Sequence, residues 1–308
     1  MNLKEQTYVC VLAECGNITK AAEQLFISQP ALSIYISTLE KNLGTKLFDR
    51  SGKKFVLTYA GERYVEKARK MLALKAEFDE ELAEITGERQ GRIRIGVQLR
   101  RETWLIPPVI ARFKCEYPEI EIIIREGNHG ELMQMFDAYE LDLVLMNGAD
   151  IRGGMQAQEL FGEELLIAVP PLHPLNEKAV WVEGSRYRRL DLKYLNGEKV
   201  ILPYPGQSLG AESEAALKKV GVVPGKIERI RNIEMAMQMV AEGLGISFNR
   251  EYYAINMKYR KRVNYYTIGD AAPKSAFVAG YRRDLHVTEP MQRFISLCRE
   301  QAYTEWEQ

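Results

Sequence analysis

The chain has 308 residues, and this length predicts about two domains rather than one small module. Hydrophobic residues make up 46% and charged residues 27%, which is typical of a globular protein and excludes wholesale disorder. Because 42 basic residues balance 42 acidic residues, the net charge points to no polyanionic partner. The four cysteines form no C-x-x-C pair and only three histidines occur, so we expect no disulfide framework, metal site or cofactor.

The sequence carries no sign of export or membrane insertion. The N-terminal residues lack the apolar run of a signal peptide, and no stretch of about eighteen apolar residues occurs. We therefore expect a cytoplasmic protein with reduced cysteines and no membrane partner.

The N-terminal region is basic and predicts short helices followed by a hairpin. Residues 1–76 carry 12 basic and 7 acidic side chains, whereas residues 77–90 carry one basic and six acidic ones. Apolar spacing predicts helices over 3–14, from Thr19 as an N-cap to 25, and from Ser28 to 43. Two short strands then predict a wing-like hairpin at 47–50 and 54–57.

The third helix has two faces of opposite character. At about 100° per residue, one face is apolar and is expected to pack in the core; it holds Leu32, Ile36, Leu39 and Leu43. The opposite face is small and polar around a single isoleucine; it holds Pro30, Ser33, Ile34, Ser37, Thr38 and Lys41, with Gln29 at the helix start. Such a helix can lie in a DNA major groove, where Gln29 and Ser33 would read base edges. The hairpin would bind phosphate through Arg50, Lys53 and Lys54. A helical bundle with a solvated face is the alternative, but it would not explain the outward Ile34 or the basic hairpin.

A long fourth helix is predicted from a Thr58 cap to Thr86. A seven-residue repeat runs along it through Tyr64, Met71, Phe78 and Ile85, with Ala68 and Leu82 in companion positions. A heptad stripe on a long helix predicts a partner helix and therefore a dimer. The alternative is that the stripe packs on its own domain.

From residue 92 onward, strands and helices alternate. The predicted strands are 92–97, 120–125, 141–146, 165–169, 200–202, 227–230 and 246–248, and the predicted helices are 105–117, 131–139, 211–220 and 233–242. This alternation is typical of βαβ units, so the fold class is α/β with a largely parallel sheet.

Three motifs at fixed spacing resemble the LysR-type transcriptional regulators. They are Ala21-Ala22-x-x-Leu25-x-x-Ser28-Gln29-Pro30-Ala31-Leu32-Ser33, then Leu39-Glu40-x-x-Leu43-Gly44-x-x-Leu47-Phe48-x-Arg50, and Leu57-Thr58-x-x-Gly61. A looser likeness continues through Leu105-Ile106-Pro107, His173-Pro174-Leu175 and Gly243-Leu244-Gly245. The chain departs from the family at Ile34 and Tyr35, where Arg and Gln are common, so its operator preference is expected to be its own.

The resemblance implies an architecture and a function. Residues 1–58 would form a winged helix-turn-helix domain, 59–90 a dimerising linker helix, and 91–308 a two-lobed effector domain like a periplasmic binding protein. The first lobe would be 91–162 and 268–308, and the second 163–267. The function would be sequence-specific transcriptional regulation, with double-stranded DNA, a small-molecule effector, RNA polymerase and further copies of the chain, as a dimer or tetramer, for partners.

The resemblance also implies where the effector binds. The interlobe cleft would be lined by Gln98, Arg100, Arg101, Asn128, Asn147, Gly206, Gln207 and Ser208. Arg100, Arg101 and the helix start at Gln207 favour an anionic effector, because arginine and helix N-termini both bind anions. The alternative is that both arginines are solvated on the surface.

One motif favours an enzyme instead. Gly206-Gln207-Ser208-Leu209-Gly210 fits the G-x-S-x-G pattern of α/β hydrolases, and Asp270 or Asp284 and then His286 follow in triad order. Pro203 and Pro205 stand where a nucleophile elbow needs a regular strand, and no oxyanion segment precedes the motif. We therefore expect no enzymatic activity and keep a hydrolase using Ser208 as the alternative.

Overall fold

The computed structural model describes residues 3–51, 54–86, 91–98, 102–258, 260–269 and 275–306. Lys53, Arg100 and Arg101, which the sequence predicts to bind DNA or effector, lie outside these residues, as does the side chain of Ile85. The chain divides into a first unit of residues 1–97, 114–144 and 284–292, and a second of residues 98–113, 145–283 and 293–308. Within the described ranges, no helix has the length and apolarity needed to cross a lipid bilayer.

Helices and strands are named in chain order. The helices are α1 Lys4–Cys15, α2 Ile18–Gln24, α3 Gln29–Leu43, α4 Tyr59–Thr86, α5 Glu102–Glu116, α6 His129–Asp137, α7 Ser208–Lys219, α8 Ile233–Ala241, α9 Glu251–Asn256 and α10 Glu289–Trp306. The strands are β1 Phe48–Ser51, β2 Lys54–Leu57, β3 Gly91–Gln98, β4 Ile120–Gly127, β5 Leu143–Asn147, β6 Met155–Glu163, β7 Leu165–Val169, β8 Lys199–Leu202, β9 Lys226–Arg229, β10 Ile246–Arg250, β11 Asn264–Thr267 and β12 Ser275–Arg282.

The N-terminal helices begin and end at the residues that their caps dictate. Gly16 ends α1 in the left-handed conformation, at φ 57°, which glycine adopts at little cost. The cap of α2 is Asn17 rather than the predicted Thr19, because the Asn17 side chain accepts hydrogen bonds from the amides of Thr19 and Lys20. Ser28 caps α3 as predicted, accepting from the Ala31 amide.

The apolar face of α3 is buried along most of its length. Leu32, Ile36 and Leu39 pack in the core of the N-terminal helices, but Leu43 is 45% exposed, so its predicted burial is wrong. Leu43 lies in the last turn of α3, where it borders a surface groove together with Tyr64 and Met71 of α4.

The heptad stripe of α4 divides into two parts. Ala68 is buried and Tyr64 packs half-buried against the same N-terminal core, so this part of the stripe belongs to its own domain. Met71, Phe78 and Leu82 are each about half exposed. The stripe open to a partner therefore begins at Met71.

Two groups of strands build the second unit. One sheet has the order β11-β7-β10-β8-β9, and β5, β12 and β6 lie side by side in another. Alternate side chains of β7 lie on opposite faces of the sheet. Leu165 and Ile167 pack in one hydrophobic core, and Ala168 packs with Met237 of α8 in another. Both faces of this sheet are therefore covered. In the first unit, β3 lies beside β4.

The α/β class, the winged helix-turn-helix and the long following helix are confirmed, but the expectation of a largely parallel sheet is wrong. Strands β8–β10 and β8–β9 pair in parallel, whereas β7 pairs antiparallel with both β10 and β11, and β6 with β12. Two of these three antiparallel pairs involve β6, β11 or β12, which the sequence analysis did not include, whereas β7 and β10 were both predicted and only their relative direction was wrong. These strands carry polar side chains between short apolar runs, and this weakens the pattern that reveals a buried strand.

Candidate functional site

The outer face of α3 is open to solvent. Gln29, Pro30 and Ser37 are exposed, Ser33 is half-buried, and Ile34 is 68% exposed. The Ser28 hydroxyl accepts a 3.3 Å hydrogen bond from the Ala31 amide and so fixes the first turn of the helix. These residues share one face, as predicted, and that face is open to a partner.

The hairpin β1–β2 is joined to this face through Arg50. A guanidinium nitrogen of Arg50 donates to the Ser37 hydroxyl at 3.5 Å, and the guanidinium stacks 5.3 Å from the centre of the Phe55 ring. Lys54, at the start of β2, is exposed. Helix α3 and the hairpin thus present one continuous surface that combines hydroxyl and amide groups with cations.

Two residues that the sequence analysis gave no role hold the hairpin against the helices. One carboxylate oxygen of Glu40 accepts from the amides of Leu47 (2.8 Å) and Phe48 (3.0 Å). At Gly61 a Cβ atom would lie 2.0 Å from the Leu47 carbonyl oxygen, so only glycine allows this approach of α4. The Thr58 hydroxyl donates to the Lys46 carbonyl at 2.7 Å and accepts from the Gly61 amide at 3.0 Å. Glu40 and Gly61 belong to the motifs quoted above, which was their only signal, whereas Thr58 was also predicted as the cap of α4.

Among the predicted effector residues, the structure brings Asn147 and Ser208 together. The Asn147 side-chain amide, at the end of β5, donates to the Ser208 hydroxyl, at the start of α7, at 2.8 Å. The side-chain amide of Gln207 donates to the Arg231 carbonyl and accepts from the backbone amide of Tyr204. The side chain thus joins its own loop to the segment between β9 and α8. Gly206 is exposed.

The remaining predicted effector residues have other surroundings. Asn128 forms a capping box with Glu131 at the start of α6. The Asn128 side chain accepts from the backbone amide of Glu131, and the backbone amide of Asn128 donates to the Glu131 carboxylate. Asn128 belongs to the first unit, whereas Asn147 and Ser208 belong to the second. Gln98 ends β3 and is half-buried.

Arg250 is the residue at this site that the sequence analysis missed. Its side chain is 2% exposed, and it donates to the Ser275 hydroxyl at 2.7 Å, to Glu163 at 3.4 Å and to Glu212 at 2.6 Å. It also lies 3.5 Å from the Ser208 hydroxyl. Two carboxylates thus compensate the charge of one buried guanidinium beside Ser208. The sequence shows only an arginine at the end of an apolar strand, which gave no reason to single it out.

The G-x-S-x-G motif has a structural explanation. A Cβ atom on Gly210 would lie 2.3 Å from the Tyr204 carbonyl oxygen, whereas a Cβ on Gly206 would meet nothing within 4 Å. The second glycine is therefore required for the close approach of α7 to its preceding loop. Ser208 accepts from an amide and a guanidinium, and neither can take up a hydroxyl proton as a catalytic base does. The contacts of Ser208 within the described residues can bind polar groups and include no catalytic base.

Two cysteines are buried and poorly ionised. Burial raises the pKa of the Cys10 thiol to about 11, against the opposing effect of the nearby Arg69, and burial likewise raises the pKa of Cys298 far above its usual range. Cys15 donates a hydrogen bond to the side chain of Gln24, and Cys115 is exposed. The thiols of Cys10 and Cys298 are therefore poor nucleophiles.

Two family models match the sequence. Residues 3–62 match the bacterial regulatory helix-turn-helix protein, lysR family, and residues 86–303 match the LysR substrate binding domain.

Three related proteins illustrate the similarity. The HTH-type transcriptional regulator YybE of Bacillus subtilis is 31% identical over 247 residues, which cover 80% of this chain and 82% of that protein. A hydrogen peroxide-inducible genes activator of Haemophilus influenzae is 26% identical over 98% of this chain and 97% of its own. A full-length OxyR variant from Pseudomonas aeruginosa has a similar structure, with a TM-score of 0.74, 23% identity, and coverage of 98% of this chain and 94% of the other.

Proposed function

This chain belongs to the LysR family of bacterial helix-turn-helix transcriptional regulators, and from that premise we propose how it binds its operator and its effector. The exposed face of α3, next to the basic hairpin, is the observation that carries the proposal. Gln29, Ser33 and Ile34 contact base edges in the major groove, with Pro30 and Ser37 beside them. Phosphates are bound by Arg50, Lys53 and Lys54.

The experiment that tests this proposal is selection of DNA sequences by the full-length protein from a random pool. We expect enrichment of one site, with affinity that falls as salt rises, because phosphate contacts release counterions. Gln29→Ala is expected to relax base preference at one position, whereas Lys54→Ala is expected to weaken binding to every sequence equally. A pool without enrichment would contradict the proposal.

We propose that two copies of the chain pair through α4. The half-exposed Met71, Phe78 and Leu82 form the contact with the partner helix. The seven-residue repeat continues this contact to Ile85, whereas Tyr64 packs in its own domain. Met71 also lines the groove of about 360 Å³ that contains Leu43, so apolar surface continues from the stripe toward α3. Pairing through α4 would place two α3 helices on two half-sites of one operator. A tetramer assembled through the effector domains follows from the family alone.

The domain boundaries proposed for this chain are those that the resemblance to the family implies. We propose a DNA-binding domain of residues 1–58, a linker helix of 59–90 and an effector domain of 91–308, in which 163–267 form the second lobe. RNA polymerase is proposed as a partner from the family alone.

We propose that the effector binds at the Asn147–Ser208 pair, together with Gln98, Gly206 and Gln207. A role for Asn128 is proposed from the family alone. Because Glu163 and Glu212 already compensate the charge of Arg250, recognition of an anionic effector is assigned to Arg100 and Arg101. The test is a thermal-shift screen of small carboxylates and phosphates. A hit is expected to bind the Arg100→Ala variant about ten- to a hundredfold more weakly, because the variant loses one charge-assisted hydrogen bond. The control is Lys226→Ala, which removes an exposed charge and should bind the hit with unchanged affinity. Hits confined to neutral molecules would overturn the anionic assignment.

One relative is named for induction by hydrogen peroxide. We propose that this chain does not sense peroxide through Cys10 or Cys298, because a thiol reacts as its thiolate and burial keeps both protonated.

A further inference from the structure

Two segments of the second unit cross between its sheets at adjacent points. The first runs from β6, which pairs with β12, through Glu164 into β7, which pairs with β10 and β11. The second leaves β10 at Arg250 and enters α9 at Glu251. The next residue, Tyr252, stacks its ring on that of Phe161 in β6, with centres 5.0 Å apart.

Glu164 and Glu251 join these two crossing segments. The Glu251 amide donates to the Glu164 carbonyl at 3.0 Å, and the Glu164 amide donates to the Glu251 carboxyl group at 3.4 Å. Glu251 is 5% exposed. Its carboxyl group is therefore part of the connection between the sheets rather than of the protein surface.

Carboxylates outnumber cations around Glu251. On the β6–β7 segment, Glu163 is buried and paired with Arg250, and the carboxylate of Glu164 accepts from the Thr267 hydroxyl at 2.7 Å. Other elements contribute further groups. Arg250 of β10 pairs with Glu212 of α7 as its second partner. The loop before β8 contributes Arg186 and Tyr187, and Tyr265 of β11 lies beside Tyr187. Burial is the main cause that raises the pKa of Glu251 to about 7. The carboxylates of Glu164 and Glu163 add to it, and the Glu164 amide and Arg186 oppose it.

We propose that Glu251 is a proton-operated latch between the two sheets of the effector domain. Its neutral form stabilises the joined arrangement described here, and its ionisation places a third carboxylate beside Glu163 and Glu164 and loosens the crossing. The latch is a property of the ligand-free, DNA-free chain, so it stands independently of the operator and effector assignments.

The direction of the pH effect follows from linkage. In a loosened arrangement the carboxyl group is hydrated and its pKa returns toward the ordinary value of 4.5, whereas in the joined arrangement the pKa is about 7. The ratio of joined to loosened molecules therefore rises as pH falls from 7 to 4.5. Above and below that window, the protonation of Glu251 does not change the ratio. The ratio of the two changes by up to about tenfold per pH unit.

Trp104 provides a reporter for the latch. Its ring lies edge-on to that of Tyr253 in α9, with centres 6.3 Å apart. Replacing the other two tryptophans, as Trp181→Phe and Trp306→Phe, leaves Trp104 as the only tryptophan in the full-length chain, and it is excited at a wavelength beyond tyrosine absorption. Its fluorescence is then recorded from pH 4.5 to 8 at constant ionic strength.

We expect a one-proton transition within this range. Glu251→Gln should hold the signal of the acid form at every pH, and Glu177→Gln, which removes the same charge from an exposed site, should leave the curve unchanged. Glu164→Gln should move the transition to lower pH, because it removes a like charge, and this variant decides the matter if Glu251→Gln fails to fold. A transition that survives in Glu251→Gln, an unmoved one in Glu164→Gln, or a flat wild-type curve would overturn the proposal.

Discussion

The side-chain amide of Asn147 donates a 2.8 Å hydrogen bond to the hydroxyl of Ser208, and this bond joins the end of β5 to the first turn of α7. Arg250 approaches the same hydroxyl oxygen at 3.5 Å, so Ser208 accepts from two donors and keeps its own proton for a further partner. The Ser208 hydroxyl can therefore donate a hydrogen bond to an acceptor group of a ligand. The contact therefore supports the proposal that Ser208 binds the effector.

Removal of the Ser208 hydroxyl is expected to cost about 1 kcal/mol of unfolding free energy, the usual net value of one hydrogen bond. Asn147→Ala should cost a similar amount, and the double variant should cost less than the sum, because both single changes remove the same bond. Urea unfolding of the four proteins measures this coupling.

The same variants decide against catalysis. Wild type and Ser208→Ala are both expected to hydrolyse p-nitrophenyl acetate no faster than buffer does. Hydrolysis that disappears in Ser208→Ala would restore the hydrolase interpretation, and strictly additive unfolding energies would show that the bond to Asn147 is absent.

The two glycines of the G-x-S-x-G motif should respond differently to substitution. Gly210→Ala places a methyl group 2.3 Å from the Tyr204 carbonyl oxygen and should lower the free energy of unfolding by about 1–3 kcal/mol, the usual cost of overpacking. Gly206→Ala meets open space and should change it by less than about 0.5 kcal/mol. Equal effects of the two substitutions would remove the structural explanation of the motif.

Local patterns predicted the DNA-binding end of the molecule well. Ser28 and the spacing of Leu32, Ile36 and Leu39 act through residues close in sequence, so α3 could be placed from the sequence. The predicted burial of Leu43 was wrong because periodicity shows which side chains share a face but not where the partner that covers this face ends.

The effector site was predictable only in part. Asn147 ends β5 and Ser208 begins the helix after β8, and the ends of strands are where binding groups are expected. The structure joins the two side chains although β5 and β8 lie in different sheets. Arg250 was missed because its partners Glu163, Glu212 and Ser275 lie 25 to 87 residues away, and no local pattern records such contacts. The residues that compensate a buried charge come from the whole fold, so sequence spacing could not reveal them.

Charges in the apolar stripe of α4 should disrupt the dimer. Met71→Glu with Phe78→Glu places four carboxylates in a symmetric seam, where like charges repel and lose hydration. We expect a shift to monomer in sedimentation and a large loss of operator affinity. The control is Met71→Leu with Phe78→Leu, which keeps the stripe apolar and should remain dimeric. An unchanged mass of the charged variant would show that the chains pair elsewhere.

Hydrogen peroxide should leave operator binding unchanged when the exposed Cys115 is replaced by serine. Cys10 and Cys298 stay protonated through burial, and Cys10 and Cys15 lie five residues apart on α1, where their side chains point in different directions. We expect affinity within about twofold of the untreated Cys115→Ser protein and no intramolecular disulfide by mass spectrometry. Loss of binding that Cys10→Ser prevents would contradict this expectation.

Ile34 should read a thymine methyl group. It is 68% exposed at the centre of the outer face of α3, and the thymine methyl is the apolar group on the edges of base pairs in the major groove. Ile34→Ala is expected to cost about 1–3 kcal/mol on the preferred operator and to relax the preference for thymine at one base pair of each half-site. Lys54→Ala is the matched control, because loss of a phosphate contact should weaken all sequences alike and reduce the salt slope by about one counterion. Binding profiles across a library of single-base variants measure both effects. A profile of Ile34→Ala that differs from wild type by one uniform factor would assign Ile34 to the sugar-phosphate backbone instead.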